Sequence, residues 1–365
     1  MADTALTHKC PNCGGPLLFD PKTQKFHCEY CLSSFTEAEV LAFEQKNEPS
    51  ETVDASSNLT ENQATPDEPK TDDVGLFVCP SCGAEIVTTA TTASTFCVYC
   101  HNPVVLTERL SGEFLPEKVL PFQIEHKEAE ADFLTWVNKK RYVPKEFFDK
   151  KQIQNLTGVY YPYWVVEGDL IGTMNAQATN LRVWIVGDIE YTETKRYQIY
   201  RAGTTNFKNL VKNALQKNEP EKIISSVQPF DLTASIDFKN QYLSGFQTEK
   251  RDIEFDQMKE NVEDELRQYS DALMQQTISG YQMIDSVDSN QQITDLSNHY
   301  VLLPIWLVTY RQKNSDKLFY YAMNGQTGKV AGVLPIDKAK LIREMLAIFI
   351  IIAIVGIFIG YMISA

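Results

Sequence analysis

The chain has 365 residues and a formal net charge of −14. That length exceeds what one hydrophobic core usually organises, so one main core with smaller appendages is expected. The acidic balance disfavours nucleic acid as a partner for the whole chain, because phosphate binding needs clustered Lys and Arg. All eight cysteines lie before residue 101, in four C-x-x-C pairs, a pattern that in a reducing compartment points to metal and not to disulfides.

The start, MADTALTHKC, is polar and has no apolar signal-peptide region. Residues 1–44 read as a first zinc ribbon followed by a short helix from Thr36 to Glu44, where Thr36 and Glu39 form a capping-box pattern. Residues 45–74 are rich in Glu, Asp, Ser, Thr, Asn and Pro. They are expected to be a disordered acidic linker, since they bury too little surface to offset chain entropy. Residues 75–110 carry a second ribbon. The two are an internal repeat: Cys10, Pro11, Cys13, Gly14, Leu17, Cys28, Tyr30 and Cys31 recur as Cys79, Pro80, Cys82, Gly83, Ile86, Cys97, Tyr99 and Cys100.

Both ribbons have the form C-x2-C-x14-C-x2-C. Two thiolates two residues apart can chelate one ion from a tight turn, and a second pair on a hairpin completes a tetrahedral shell suited to Zn²⁺. Gly14 and Gly83 sit where such a knuckle needs positive φ. The expected ligands are Cys10, Cys13, Cys28 and Cys31 for one ion, and Cys79, Cys82, Cys97 and Cys100 for the other. Iron or a redox dithiol are the alternatives. Four cysteines leave no open coordination position, so the sites are expected to be structural. His8, His27 and His101 flank the cysteines and are read as exposed or supporting groups.

Residues 111–335 read as an α+β domain with antiparallel sheets. His126 to Asn138 places Ala129, Phe133, Trp136 and Val137 on one helical face. Aromatic and β-branched runs from Gly158 onward suggest strands, and a second helix is expected from Asp256 to Ile278. The echo of YYPYW (Tyr160 to Trp164) in VLLPIW (Val301 to Trp306) suggests a duplicated unit, and a prolyl residue inside each strand argues for edge positions. GQTGK at Gly325 to Lys329 lacks the full phosphate-loop pattern and is read as a reverse turn. No catalytic motif appears, Trp164 and Trp306 are read as core aromatics, and no catalytic residue is assigned.

Met345 to Ile363 is an uncharged apolar run, preceded by Lys338, Lys340 and Arg343. It is expected to be a single transmembrane helix, a tail anchor that leaves the long N-terminal part in the cytoplasm. Within it Gly356 and Gly360 form G-x-x-x-G, which allows close approach of a second membrane helix and hence a dimer.

Paired CPxCG ribbons, the Y-x-P-x-W strand, YTET followed by YRAG (Tyr191 to Thr194, Tyr200 to Gly203), PFD at Pro229 to Asp231, YLSGF at Tyr242 to Phe246, and LLPIW with MNGQTGK before an apolar C-terminal helix resemble the YdjG-type "TFIIB-type zinc ribbon" membrane proteins of Gram-positive bacteria. The likeness covers nearly the whole chain and departs in the length of the acidic linker. Two ribbons on a tether, a larger domain and an anchor, with no catalytic motif, read as an adaptor or scaffold at the cytoplasmic face of the cell membrane, an enzyme in the Phe114 to Pro335 domain being a further alternative. The partners that the likeness implies belong to a membrane-stress system of PspA-like and flotillin-like proteins. The ribbons are also similar to those of the primosomal replication-restart helicase, but no helicase motor is present. The alternative reading is a membrane-tethered nucleic-acid-binding ribbon protein. Lys9, Lys22 and Lys25 favour it, and the absence of Lys and Arg between Cys79 and Cys100 opposes it.

Overall fold

The computed structural model describes residues 5–6, 8–20, 23–47, 74–79, 81–97, 100, 102–144, 156–216, 221–311 and 318–364. Residues 48–73, most of the acidic linker expected at 45–74, lie outside the described residues, as does His101. In chain order the first part contains β1 (Ala5–Leu6), β2 (Leu18–Asp20), β3 (Lys25–His27), β4 (Ser34–Phe35) and α1 (Glu37–Asn47). The capping box at the start of α1 is made: the Thr36 amide and hydroxyl donate to Glu39 Oε2 at 2.7 and 2.9 Å. Next come β5 (Val74–Val78), β6 (Glu85–Thr89), β7 (Thr92–Phe96) and β8 (Pro103–Leu106).

The remainder repeats one chain order twice: short strand, helix, long strand, strand. The first set is β9 (Lys118–Val119), α2 (His126–Asn138), β10 (Thr157–Val186) and β11 (Ile189–Asn213). After α3 (Glu221–Ser226) and β12 (Ile236–Asp237), the second is β13 (Gln247–Glu249), α4 (Phe255–Gln276), β14 (Met283–Arg311) and β15 (Leu318–Asn324). Then follow β16 (Val330–Gly332) and α5 (Lys338–Ser364). The short strands are exchanged. β9 of the first set lies parallel to β14, and β13 of the second lies parallel to β10, while β10 and β14 run antiparallel at the centre. The sheet is therefore mixed, not antiparallel as expected, because each long strand takes its second neighbour from the other set.

The two prolines are not at edges. Pro162 follows the last β13 pair (Tyr160↔Thr248) and precedes the first β11 pair (Tyr163↔Asn213). Pro304 stands likewise between β9 (Leu302↔Val119) and β15 (Ile305↔Asn324). Each sits where one neighbour hands over to the next, so its missing N–H costs no ladder bond. The carbonyls are used, Pro162 O by Ala214 N at 3.1 Å and Pro304 O by Gly325 N at 2.9 Å.

One face of the sheet carries the larger core. There Phe122, Tyr160, Phe246 and Trp306 pack together, and Phe122 stacks on Phe246 with centroids 4.5 Å apart. Trp164 and Trp306 are core aromatics that donate to Ile253 O and Ile124 O at 2.9 and 3.1 Å. The opposite face packs Val159, Tyr161, Tyr163, Leu303 and Ile305 against Ile224 and Val227 of the α3 segment. Gly325–Lys329 forms the turn between β15 and β16, where Asn324 Oδ1 accepts from the amides of Gln326 and Thr327 at 2.9 and 3.0 Å.

The expectation of a single-pass membrane helix, with a cell-membrane location for the chain, is corrected here. Among the described residues no helix is long and apolar enough to cross a membrane. The first turns of α5 are charged and tied to the segment after α2. Arg141 meets Glu344 at 3.0 Å, Tyr142 Oη donates to Glu344 at 2.9 Å, and Lys340 Nζ donates to Arg141 O at 2.6 Å. The side chains at positions 358, 360, 361 and 363 of α5, Gly360 of the G-x-x-x-G pair among these positions, are outside the description.

Candidate metal centres

In the first ribbon each C-x-x-C pair folds into a knuckle fixed by its own backbone. Gly14 N donates to Cys10 O at 2.8 Å and Cys10 N to Gly15 O at 2.7 Å; Leu32 N donates to Cys28 O at 2.9 Å and Cys28 N to Ser33 O at 3.0 Å. The turn needs a left-handed residue, supplied by Gly14 at φ 73° and, in the second knuckle, by Leu32 at φ 60°. Asn12 Nδ2 donates to Ser33 Oγ at 2.9 Å and so ties the two knuckles together. The second ribbon repeats the first knuckle, with Gly83 N on Cys79 O and Cys79 N on Ala84 O, both at 2.8 Å, and Gly83 at φ 74°.

The eight cysteines come together in two groups of four, each with sulfurs within 4.8 Å of one another, and either group could hold a metal ion. Cys10–Cys31 and Cys13–Cys28 are separated by 3.5 Å, and Cys79–Cys100 and Cys82–Cys97 by 3.7 Å. A tetrahedron of sulfurs at about 2.3 Å from a central ion has edges of about 3.8 Å, so the spacing fits such a shell. Burial pushes the Cys100 thiol up to about 12, while the Ser33 hydroxyl and amide pull Cys31 down to about 6. Four thiols this close compete for charge, and a divalent cation at their centre would favour the thiolate at each.

The flanking histidines turn elsewhere: His8 Nδ1 meets Glu44 at 2.7 Å and His27 Nδ1 meets Ser34 Oγ at 3.4 Å. Sequence reading missed Ser33 and Asn12, whose roles depend on a contact across the turns. It also missed Arg109, whose guanidinium lies 4.5 Å over the Phe77 ring and donates to the carbonyls of Thr89 and Thr92, clasping the β6–β7 turn.

Both ribbons are built onto the large sheet. In the first, Leu17, Phe19 and Phe26 belong to the larger core; Phe19 lies 4.8 Å from Tyr242, and Ser244 Oγ donates to Leu17 O at 2.7 Å. In the second, β7 pairs with β13, and Ser94 Oγ reaches Phe246 O and Thr248 Oγ1, both at 2.8 Å. What faces outward is the second knuckle of the first ribbon. Tyr30 and Leu32, on either side of Cys31, are each 73% exposed.

No protein-family model matches the chain, and no solved structure does. A curated protein of Bacillus subtilis (strain 168), the uncharacterized protein YdjG, is 30% identical over 335 residues, which is 92% of each chain.

Proposed function

The chain belongs to the YdjG family, and from that premise we propose that it is a non-catalytic docking protein whose ribbons each hold one structural Zn²⁺. Four thiolates saturate a tetrahedral ion and leave no position for substrate, and soft sulfur donors favour zinc among the common divalent ions. The observation that carries the reading is the pair Tyr30 and Leu32. A tyrosine and a leucine held in solvent on a metal-fixed knuckle lose little conformational freedom on binding, which suits them to anchor a protein partner. The partner class is that implied by the family likeness, PspA-like or flotillin-like proteins.

The test uses the purified full-length chain and purified PspA-like and flotillin-like proteins. Binding to one of them should fall at least about tenfold when Tyr30→Ala and Leu32→Ala are combined, since two apolar anchors contribute on that order. Metal analysis of the same preparation should return two zinc ions per chain. Equal binding by wild type and variant, or binding by neither, would overturn the docking reading, and a different metal would overturn the zinc assignment.

A further inference from the structure

β10 and β11 continue past the end of β14. The last β10–β14 pair is Thr179↔Met283, whereas β10 and β11 stay paired out to Val186↔Ile189, around a two-residue turn with Gly187 at φ 63°. The projecting hairpin has only two strands, and an isolated two-stranded ribbon is marginal in water. It is nevertheless apolar. Trp184 stacks on Tyr191 (5.7 Å, 11°), and Ile185, Val186 and Ile189 are 69%, 60% and 58% exposed. Among the described residues β11 pairs with β10 alone, so its outer edge is open.

The direction of that edge's polar groups follows from one bond. The Leu181 amide is taken by Gln282 Oε1 at 2.6 Å, on the side away from β11. Leu181 and its partner Thr194 are therefore a non-hydrogen-bonded pair, and Thr194 turns its N–H and C=O outward. The tight turn gives the same parity, because Val186 and Ile189 flank it as a hydrogen-bonded pair. Glu190, Thr192, Arg196 and Gln198 alternate in step with Thr194 and present their backbone groups outward too.

The sequence of this edge is nearly its own mirror image about Thr194: Ile189-Glu-Tyr-Thr-Glu-Thr194-Lys-Arg-Tyr-Gln-Ile199. We propose that β11 is a homodimerisation edge, at which a second copy of this chain adds antiparallel across a two-fold axis at Thr194. The two Thr194 residues then exchange both backbone bonds. The intervening non-hydrogen-bonded positions, where side chains come closest, set Glu193 against Lys195, Tyr191 against Tyr197 and Ile189 against Ile199 of the other copy. Every charge on that face meets its opposite. The contact is also complementary in burial. Ile199 lies buried beside Met274 and Ile278, and Tyr197 leans on Tyr281 at 5.1 Å, so the exposed Ile189 and Tyr191 of the second copy are laid beside an apolar surface already formed at the end of α4. Two marginal hairpins become one four-stranded sheet, and an isologous contact of this kind closes on itself.

Sedimentation of the full chain up to about 100 μM tests this, a range that reaches weak association. Wild type should sediment as a dimer. Thr194→Pro should be monomeric with an unchanged circular dichroism spectrum, because the outward amide it removes serves only the partner and an edge position tolerates proline. Glu193→Lys and Lys195→Glu should each weaken the dimer about tenfold, since each places like charges opposite one another twice, and the double swap should restore it. A wild-type chain monomeric throughout, a dimer indifferent to Thr194→Pro, or a double swap no tighter than its parents would overturn the proposal.

Discussion

Glu249 ends β13 in the seam between the second ribbon and the sheet, and its position makes that seam sensitive to pH. Burial raises its carboxyl above the ordinary value of 4.5, an effect only partly opposed by the Thr91 hydroxyl and the Arg109 guanidinium. A raised folded-state value means that the folded chain binds this proton more tightly than the unfolded one. Its contribution to stability is therefore full below the ordinary value and is lost as pH rises through the raised one. Glu249→Gln should make the chain more stable than wild type at pH 7, with the gap closing toward pH 4. Thermal unfolding of both proteins across that range checks this, and the difference between them is the quantity to follow, because acid also strips metal from thiolates. Parallel curves would show that Glu249 carries no such linkage. At the same scale the neighbouring Arg251 is buried among Phe114, Trp164 and Tyr300, with its guanidinium 5.0–5.5 Å from each ring and paired with Glu254. Nothing in the sequence around Arg251 announces this, since an arginine between Lys250 and Asp252 reads as surface.

Among the elements, the turn from β15 to β16 shows how tightly the larger core is closed. A Cβ on Gly325 would fall 2.5 Å from the Phe122 ring and 2.9 Å from Pro304 Cβ. Phe122 has little room to retreat, because Phe246 stacks on it and Tyr160 and Trp306 pack around it. Gly325→Ala should cost about 1–3 kcal/mol, the usual range for overpacking, measured by denaturant unfolding; an unchanged midpoint would mean that the aromatic cluster is looser than its geometry. Elements of ordinary length were legible in the sequence. The first turn of α1 carries its capping box, α2 spans the expected residues, and α4 runs from Phe255 to Gln276, close to the apolar periodicity. The strands of 25–30 residues were not, because the alternation in β10 breaks off where both of its faces become exposed and the residues there look like separate short strands. The membrane reading failed for a related reason. An apolar run counted in the sequence ignores the charged first turns of α5, which are bound to Arg141 and Tyr142.

For the whole molecule, the eight cysteines were legible because their chemistry is local, whereas the docking of the ribbons was not. Leu17, Phe19 and Phe26 look in the sequence like the private core of a small module; in the fold they join the core of the large sheet. Loss of the first metal should therefore be felt beyond the ribbon. Cys28→Ser should remove one metal ion per chain and lower the melting temperature of the main transition by several degrees, as the loss of a few kcal/mol does for a chain of this size. A main transition unmoved in calorimetry, with only a small early one lost, would mean that the ribbon melts alone.

The exchange of β9 and β13 bears on how the chain is made. The backbone of the β9 segment is completed by β14, through Leu120 N on Leu302 O at 2.9 Å and Glu117 N on Tyr300 O at 2.9 Å. On the ribosome the first half therefore emerges long before the strand that closes its sheet, and its aromatic side chains wait uncovered while β12 to β16 are still untranslated. Pairings so distant in sequence are slow to form and open to misassembly meanwhile. The same swap that locks the finished halves together delays closure of the first half until β14 has been made.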